Sequence, residues 1–230
     1  MSVQHMPTKK VVYPESDGKP MADNTKQLES IVYLFDNLGS LFADRDDVFV
    51  AADLFWYPVE GHPEIRTAPD VMVAFGRPKG HRPSYKQWEE EGIAPQVVFE
   101  VLSPSKSPSD LIEKFLFYQQ YGVEEYYLYD PDRGIIDGWI RKEGALQPIP
   151  NPDGWTSPRL GVRFTLEEGQ LVAYRPDGER FLSYAELRRR LEEERYRASR
   201  AQQEAEQERQ RAQRLAQRLR ELGIDPEQVV

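Results

Sequence analysis

The sequence predicts an α+β domain followed by a long helical extension. Three patterns predict this class: an amphipathic helix early in the chain, several short apolar segments with the length of strands, and a late stretch dominated by Glu, Arg, Gln, Ala and Leu. With 230 residues and 39% hydrophobic residues, the chain can build one core of moderate size.

Capping residues delimit the two helices of the predicted domain. The first helix should begin at Asp23 or Asn24, both favourable N-caps, and end at Gly39. The second should be capped by Ser107 and end at Gly122. The predicted strands cover residues 48–53, 54–57, 71–75, 97–102, 126–129, 135–141 and 162–166.

Composition divides the chain into three segments. Residues 1–22, rich in Pro, Lys and small polar residues, are predicted to be a flexible arm, residues 23–183 the α+β domain, and residues 184–230 a helical extension. Residues 184–222 contain 11 Arg, no Lys and 8 Glu, whereas the whole chain has a net charge of -9. The thin stripe of Leu and Ala in this extension predicts either pairing with another helix as a coiled coil or a helix that stands alone in solvent.

Several classes of protein are excluded at this stage. The chain has no cysteine, which excludes disulfides and thiol catalysis. No run approaches the roughly 20 apolar residues of a membrane helix, and the first residues lack a signal-peptide core, so we expect a cytoplasmic protein that does not bind membranes. Phosphate-loop, dinucleotide-binding and serine-hydrolase motifs are absent.

Two acidic residues stand out because they accompany apolar strands. Asp70 precedes the strand VMVAF, and Glu100 lies inside VVFEVL. A carboxylate in a buried strand costs several kcal/mol unless it is paired or bound to a metal. The functional interpretation is a site for Mg²⁺ or Mn²⁺, which prefer carboxylate oxygens. The alternative is a buried salt bridge, or an edge strand on which Glu100 faces solvent.

A lysine on the second helix completes this hypothesis. Helical spacing places Lys114 beside Tyr118, on the flank of the apolar stripe and away from the polar face. A lysine next to two carboxylates and a divalent cation would stabilise charge that develops on a phosphoryl group or orient the attacking water. An ordinary lysine whose ammonium extends to water is the alternative.

Four sequence motifs in order resemble a known family. PD at 69–70, EVLSPS at 100–105, EKF followed by the pattern YxxYGVxEYY, and YDP at 129–131 resemble the Uma-two family of restriction endonucleases, within the PD-(D/E)XK nuclease superfamily. The resemblance covers roughly residues 20 to 175. It implies a restriction-endonuclease-like fold with a mixed central sheet of about four strands. It also implies Mg²⁺ or Mn²⁺ bound by Asp70, Glu100 and the Val101 carbonyl.

One departure from the superfamily pattern concerns the lysine. The pattern has lysine two residues after the central acid, where this chain has Leu102. Lys114 could take that role from the helix. The resemblance also suggests an acidic residue on the first helix, for which Glu29 is the candidate and Gln27 the rival. Ser103 either donates to phosphate or satisfies its own loop.

The sequence therefore predicts a metal-dependent endonuclease that hydrolyses DNA phosphodiesters. A basic segment with interleaved aromatic residues, including Lys79, Arg82 and Lys86, is the predicted DNA contact; the alternative is a solvated hairpin. We expect a homodimer, since two strands must be cut. Two other interpretations remain open: a weak or inactive nuclease fold that binds nucleic acid or regulates, and a scaffold that recruits a helical partner through residues 184–222.

Overall fold

The computed structural model describes residues 11–16, 18 and 20–223. The chain separates into two compact units, one up to Phe181 and one from Leu182 onward. The helices are α1 (Thr25–Leu41), α2 (Pro108–Tyr121) and α3 (Tyr184–Glu221). The strands are β1 (Val48–Ala52), β2 (Trp56–Tyr57), β3 (Val71–Phe75), β4 (Tyr85–Lys86), β5 (Val97–Val101), β6 (Glu125–Asp130), β7 (Ile135–Lys142), β8 (Ala145–Pro148), β9 (Arg163–Glu167) and β10 (Gln170–Tyr174).

Six strands form the central sheet, two more than the resemblance implied. Their order is β1-β3-β5-β6-β7-β8. All neighbours are antiparallel except β5 and β6, because α2 carries the chain from the end of β5 back to the start of β6. The remaining strands form two small pairs, β2 with β4 and β9 with β10. The predicted α+β class is confirmed.

Local signals explain where the helices of the domain begin and end. The Asn24 side chain accepts a hydrogen bond from the backbone N–H of Gln27, so α1 begins where predicted. The predicted end at Gly39 is wrong by two residues, because Gly39 keeps a helical conformation and α1 continues to Leu41. Ser107 caps α2 in a capping box, and Gly122 ends it with φ 95°.

The two faces of the sheet pack against different helices. Ile31, Leu34 and Leu38 of α1 belong to the core on one face, together with the β5 residues Val97, Phe99 and Val101. Tyr118 of α2 belongs to the core on the other face, with Val98 of β5. Because side chains alternate along a strand, Glu100 must project to the α2 face.

The second unit is built on α3, which runs for 38 residues and has no buried residue. Ser183 and Glu186 form a capping box at its start. Arginine and glutamate side chains pair along it, for example Arg188 with Glu192 and Arg200 with Glu204. No helix in the described part of the chain has both the length and the apolar character needed to cross a membrane.

Part of the predicted N-terminal arm contacts the domain. The Tyr13 ring packs against Tyr57 and Trp88, with ring centroids 5.2 and 5.1 Å apart. The Tyr57 hydroxyl donates to the Pro14 carbonyl at 2.5 Å. Residues 1–10, 17 and 19, which also belong to the predicted arm, lie outside the described residues.

Candidate nuclease site

The site lies where β3 begins and β5 ends. These strands are antiparallel neighbours, and Val71 is paired with Phe99, so the residue before β3 lies beside the last residues of β5. Asp70 is 6% exposed, and its Oδ2 accepts a hydrogen bond from the backbone N–H of Val101 at 2.6 Å. The sheet register therefore brings together Asp70 and Glu100, which are 30 positions apart in the sequence.

Glu100 is fully buried and receives hydrogen bonds from α2. Lys114 Nζ lies 2.7 Å from both carboxylate oxygens, and the Tyr118 hydroxyl donates to Oε1 at 2.6 Å. The two donors are four residues apart on α2 and share one face of the helix. Lys114 also donates to the Ala68 carbonyl at 3.0 Å. Sequence spacing thus correctly indicated that Lys114 lies at the flank of the core.

A second lysine reaches the same carboxylates from the loop between β5 and α2. Lys106 Nζ lies 2.8 Å from Asp70 Oδ2, 3.0 Å from Glu100 Oε2 and 3.1 Å from the Val101 carbonyl oxygen. The sequence analysis missed this residue. The sequence does show a lysine six positions after Glu100, between the end of a strand and a helix cap. The direction in which this side chain points, however, depends on the conformation of the loop.

The α1 helix contributes Gln27, the rival of the predicted Glu29. The Gln27 side chain is buried, and its Nε2 donates to the Val101 carbonyl at 3.0 Å. Its Oε1 accepts from the backbone N–H of Asp23 at 2.9 Å, which fixes the amide orientation. Glu29 is exposed on α1. The structure therefore places an amide, and not that carboxylate, beside Val101.

Burial and the two lysines set the protonation of the carboxylates. Burial and the neighbouring Glu100 charge raise the pKa of Asp70 to about 6, against the lowering effect of Lys106 and Lys114. Burial alone would raise the pKa of Glu100, but the ammonium groups of Lys114 and Lys106 outweigh it and lower that pKa. Burial opposes the charge of Lys106 too, yet the two carboxylates raise its pKa overall.

The arrangement fits a hard divalent cation. The described residues contain no group of three or more His, Asp or Glu side chains suited to a metal. Two carboxylates and a backbone carbonyl are nevertheless oxygen ligands of the kind Mg²⁺ takes, with water completing its shell. In the structure, oxygens of Asp70, Glu100 and Val101 already converge on one cation, the Lys106 ammonium. This donor set thus accommodates positive charge at a single point.

Ser103 lies next to the site but contacts another residue. Its hydroxyl donates to Asp23 Oδ2 at 2.5 Å and lies 3.1 Å from the Ser105 hydroxyl. The Ser105 hydroxyl donates to the same Asp23 oxygen. In this structure Ser103 therefore fastens the loop to the start of α1, and its contact with phosphate remains a prediction.

The predicted DNA-contact residues lie on the segment around β4 and have partners within the domain. Arg82 forms an ion pair with Glu90, and its guanidinium lies 4.0 Å from the centroid of the Phe49 ring. Lys86 pairs with Glu89 at 3.1 Å, and Lys79 donates to a backbone carbonyl. None of the hydrogen bonds or ion pairs described for these three residues involves Asp70 or Glu100, and their role in DNA binding stays a prediction.

Fold and site together define the class of this protein. The structure has a buried acid pair beside a lysine, at the end of a mixed sheet covered by helices. These three residues come from the motifs that predicted a nuclease domain. The profile of the Uma2 family, described as "Putative restriction endonuclease", matches residues 13–188. The chain belongs to this family, and the recognition from the sequence motifs is confirmed.

Two further comparisons complete this picture. Among solved structures, the chain is similar to a nuclease of the DUF820 family from Anabaena variabilis ATCC 29413, described as putative, with a TM-score of 0.44 and 18% identity. The match covers 63% of this chain and 79% of that one. A comparison with curated proteins finds no match.

Proposed function

We propose that the protein is a Mg²⁺- or Mn²⁺-dependent endonuclease that hydrolyses phosphodiester bonds of DNA. Family membership supports the nuclease class. The observation that carries the finer proposal is the convergence of Asp70, Glu100 and the Val101 carbonyl on one cationic position, with the Lys114 ammonium beside it.

Each residue has a distinct part in this proposal. Asp70, Glu100 and the Val101 carbonyl hold the metal, and Gln27 fixes the carbonyl by its hydrogen bond. The bound cation supplies Lewis-acid activation of the phosphoryl group and of the attacking water. The Lys114 ammonium lies next to the site and stabilises negative charge that develops on the phosphoryl oxygens.

The position of Lys114 supports its replacement of the missing strand lysine. Leu102 occupies the position where the superfamily pattern has lysine. Lys114 Nζ nevertheless lies 2.7 Å from both oxygens of Glu100, on the face of the sheet where Tyr118 of α2 also contacts this carboxylate. The ammonium of this helix lysine thus lies next to Glu100, the acid beside which the superfamily pattern has a lysine on the strand.

The test is cleavage of supercoiled plasmid by the purified full chain in Mg²⁺, Mn²⁺ or EDTA. Asp70→Asn and Lys114→Met should each reduce the rate by about 100-fold or more, a loss typical when one electrostatic contributor is removed. Lys142→Met, on the exposed end of β7, is the matched lysine control and should cut like the wild type.

The outcomes separate the proposal from its alternatives. Equal cutting by all four preparations would show a contaminating nuclease and reject the assignment. If none of them cuts DNA, but Mn²⁺ binds to the wild type and not to Asp70→Asn, a fold that binds metal without turnover replaces the enzyme. Loss of cutting in Asp70→Asn but not in Lys114→Met would leave the metal site in place and remove the proposed role of Lys114.

We further propose that α3 forms an antiparallel pair with α3 of a second copy, which makes the protein a homodimer. Ten apolar residues between positions 184 and 222 occupy the first and fourth positions of a strict seven-residue repeat, the spacing of a coiled coil, and Ala185, Tyr196 and Ala216 lie at other positions. The ten residues of the repeat are Tyr184, Leu187, Leu191, Ala198, Ala201, Ala205, Ala212, Leu215, Leu219 and Leu222. Glu194 and Glu208 fill the two remaining positions.

Charge decides the direction of the pair. A parallel pair in register would place Glu194 opposite Glu194 of the second copy and Glu208 opposite Glu208. Such a pairing of like charges is unfavourable. An antiparallel pair centred on Gln203 places both glutamates opposite alanines and sets leucine opposite leucine at each end. The antiparallel arrangement therefore removes the repulsion and improves the packing.

The dimer is tested by sedimentation of the full chain. Leu215→Glu should give a monomer, whereas Gln203→Glu, on the outer face of the repeat, adds the same charge and should stay dimeric. Because the chain has no cysteine, introduced cysteines report direction. Leu187→Cys mixed with Leu219→Cys should cross-link, and either variant alone should not. A monomeric wild type would reject the pairing.

We also propose DNA contact through Lys79, Arg82 and Lys86 and action in the cytoplasm. The three residues belong to a segment that includes β4. Phosphates would have to replace the acid partners of Arg82 and Lys86 and the backbone carbonyl that Lys79 binds. Measurement of DNA affinity against salt tests the contact: Lys86→Ala should lower the slope by about one charge. An unchanged slope would remove Lys86 from the DNA surface.

A further inference from the structure

The Lys106 ammonium stands where the cation of the proposed function would bind. Its three acceptors are Asp70 Oδ2, Glu100 Oε2 and the Val101 carbonyl oxygen, at 2.8 to 3.1 Å. These are the groups that would ligate the metal. We propose that Lys106 is an internal counter-ion of the metal site, and that a divalent cation binds only in exchange for its ammonium. This inference rests on the proposed metal dependence and adds a competitor that regulates metal loading.

Charge balance explains why the metal-free protein needs this lysine. Asp70 and Glu100 are 6% and 0% exposed, so two negative charges lie together out of water. Lys114 binds Glu100 and the Ala68 carbonyl, and Lys106 is the ammonium that reaches Asp70. With both lysines the four side chains sum to zero charge. Without Lys106 the acid pair keeps an uncompensated charge, which is strongly unfavourable at this depth.

Exchange follows from the same geometry. An ammonium and a divalent cation that share three oxygens would lie close together and repel each other in a site with little water. Lys106 belongs to the loop between β5 and α2, and its side chain is 17% exposed, so it has a route to solvent. Lys114, on α2, donates to both Glu100 oxygens and to the Ala68 carbonyl. Of the two lysines, it is Lys106 that donates to Asp70 and to the Val101 carbonyl. Lys106 is therefore the lysine that must leave.

The test measures Mn²⁺ affinity of the metal-free full chain by calorimetry, without any substrate. Lys106→Met removes the ammonium but keeps a flexible apolar side chain, and it should bind Mn²⁺ at least 10-fold more tightly than the wild type. Lys114→Met removes one positive charge next to the same carboxylate but does not vacate the position shared by the three oxygens, so its gain in affinity should be at least 3-fold smaller than that of Lys106→Met. Lys142→Met is the remote control and should match the wild type.

Thermal unfolding gives a second readout. In EDTA, Lys106→Met should melt below the wild type, and Mn²⁺ should raise its melting temperature by more than it raises that of the wild type. If Lys106→Met does not fold in EDTA, Lys106→Gln is measured in the same way. Either variant must gain Mn²⁺ affinity over the wild type for the exchange to stand.

Each other result overturns a specific statement. Equal Mn²⁺ affinity of wild type and Lys106→Met, or weaker binding by the variant, would overturn the exchange and leave the metal site intact. Equal gains in Lys106→Met and Lys114→Met would show a general charge effect and also overturn it. Absence of Mn²⁺ binding in every variant would overturn the proposed metal site itself.

Discussion

Removal of the Tyr118 hydroxyl should destabilise the domain more than removal of an ordinary buried tyrosine hydroxyl. The hydroxyl donates to Glu100 Oε1 at 2.6 Å, and both residues are fully buried. Hydrogen bonds to a charged partner contribute about 1.5–3 kcal/mol, against about 0.5–1.5 kcal/mol for a neutral pair. Water cannot replace the lost donor at this depth. We therefore expect Tyr118→Phe to lower the free energy of unfolding by about 1.5–3 kcal/mol.

A matched control separates the charge from the loss of a hydroxyl. Tyr85 is also fully buried, but its hydroxyl donates to a neutral acceptor, the Ile93 carbonyl, at 2.8 Å. Tyr85→Phe should cost about 0.5–1.5 kcal/mol. Ring packing changes little in either variant, since phenylalanine keeps the stacking of residue 118 on Trp56, with centroids 6.4 Å apart.

The assay is urea unfolding followed by tryptophan fluorescence at neutral pH, where Glu100 is ionised. Repeating Tyr118→Phe in a Glu100→Gln background should reduce its cost to that of the neutral pair, because the acceptor then has no charge. If Tyr118→Phe and Tyr85→Phe cost the same within about 0.5 kcal/mol, the argument from the charge of Glu100 is wrong.

Three further predictions concern parts of the domain away from the proposed site. Burial raises the pKa of Glu125 above its ordinary value of 4.5 despite its hydrogen bonds, so its contribution to stability is complete below pH 4.5 and is lost as pH rises. In urea unfolding, the stability of Glu125→Gln should therefore increase relative to that of the wild type as pH rises, and a difference that does not change with pH would contradict this. At Gly134 (φ +64°) a Cβ would lie 2.5 Å from the Gly169 carbonyl oxygen, whereas Gly144 has a similar φ but open space around it. Gly134→Ala should therefore cost at least about 2 kcal/mol more than Gly144→Ala, and equal melting temperatures of the two variants would refute the clash. Glu90→Gln removes the charge that pairs with Arg77 and Arg82. Arg77 keeps its ion pair with Glu91, but the largely buried Arg82 loses its carboxylate partner, so the variant should cost roughly 3 kcal/mol by urea unfolding. A loss under about 1 kcal/mol would show that solvent replaces the lost partner.

Local sequence signals predicted most of the domain's elements. The strand at 71–75 has the predicted bounds, and α2 begins after Ser107, because apolar runs and caps act over a few residues. The β2 strand covers only the last two residues of the strand predicted at 54–57. The β4 strand is also two residues long, too short for any periodicity, and no strand was predicted there. Such pieces form because distant chain segments meet, which the local pattern does not contain.

The candidate site shows the same limit. A glutamate inside an apolar strand and a lysine on the flank of a helix are visible in the sequence, and the structure brings Glu100 and Lys114 together. Lys106 was missed, and Gln27 was only the second candidate after Glu29. Their side chains depend on the path of the β5–α2 loop and on the angle at which α1 crosses the sheet, and both are set by tertiary packing.

Because two lysines neutralise the charge of the buried acid pair, folding of the domain does not need a metal ion to offset that charge. Small metalloproteins whose ligands repel one another fold only when their ion is supplied. Here Lys106 and Lys114 compensate Asp70 and Glu100 from within the chain. If the proposed metal dependence holds, the domain would therefore fold without the cation and remain folded but inactive until the cation binds. Under that proposal, its activity would follow the supply of the cation, without new synthesis or refolding.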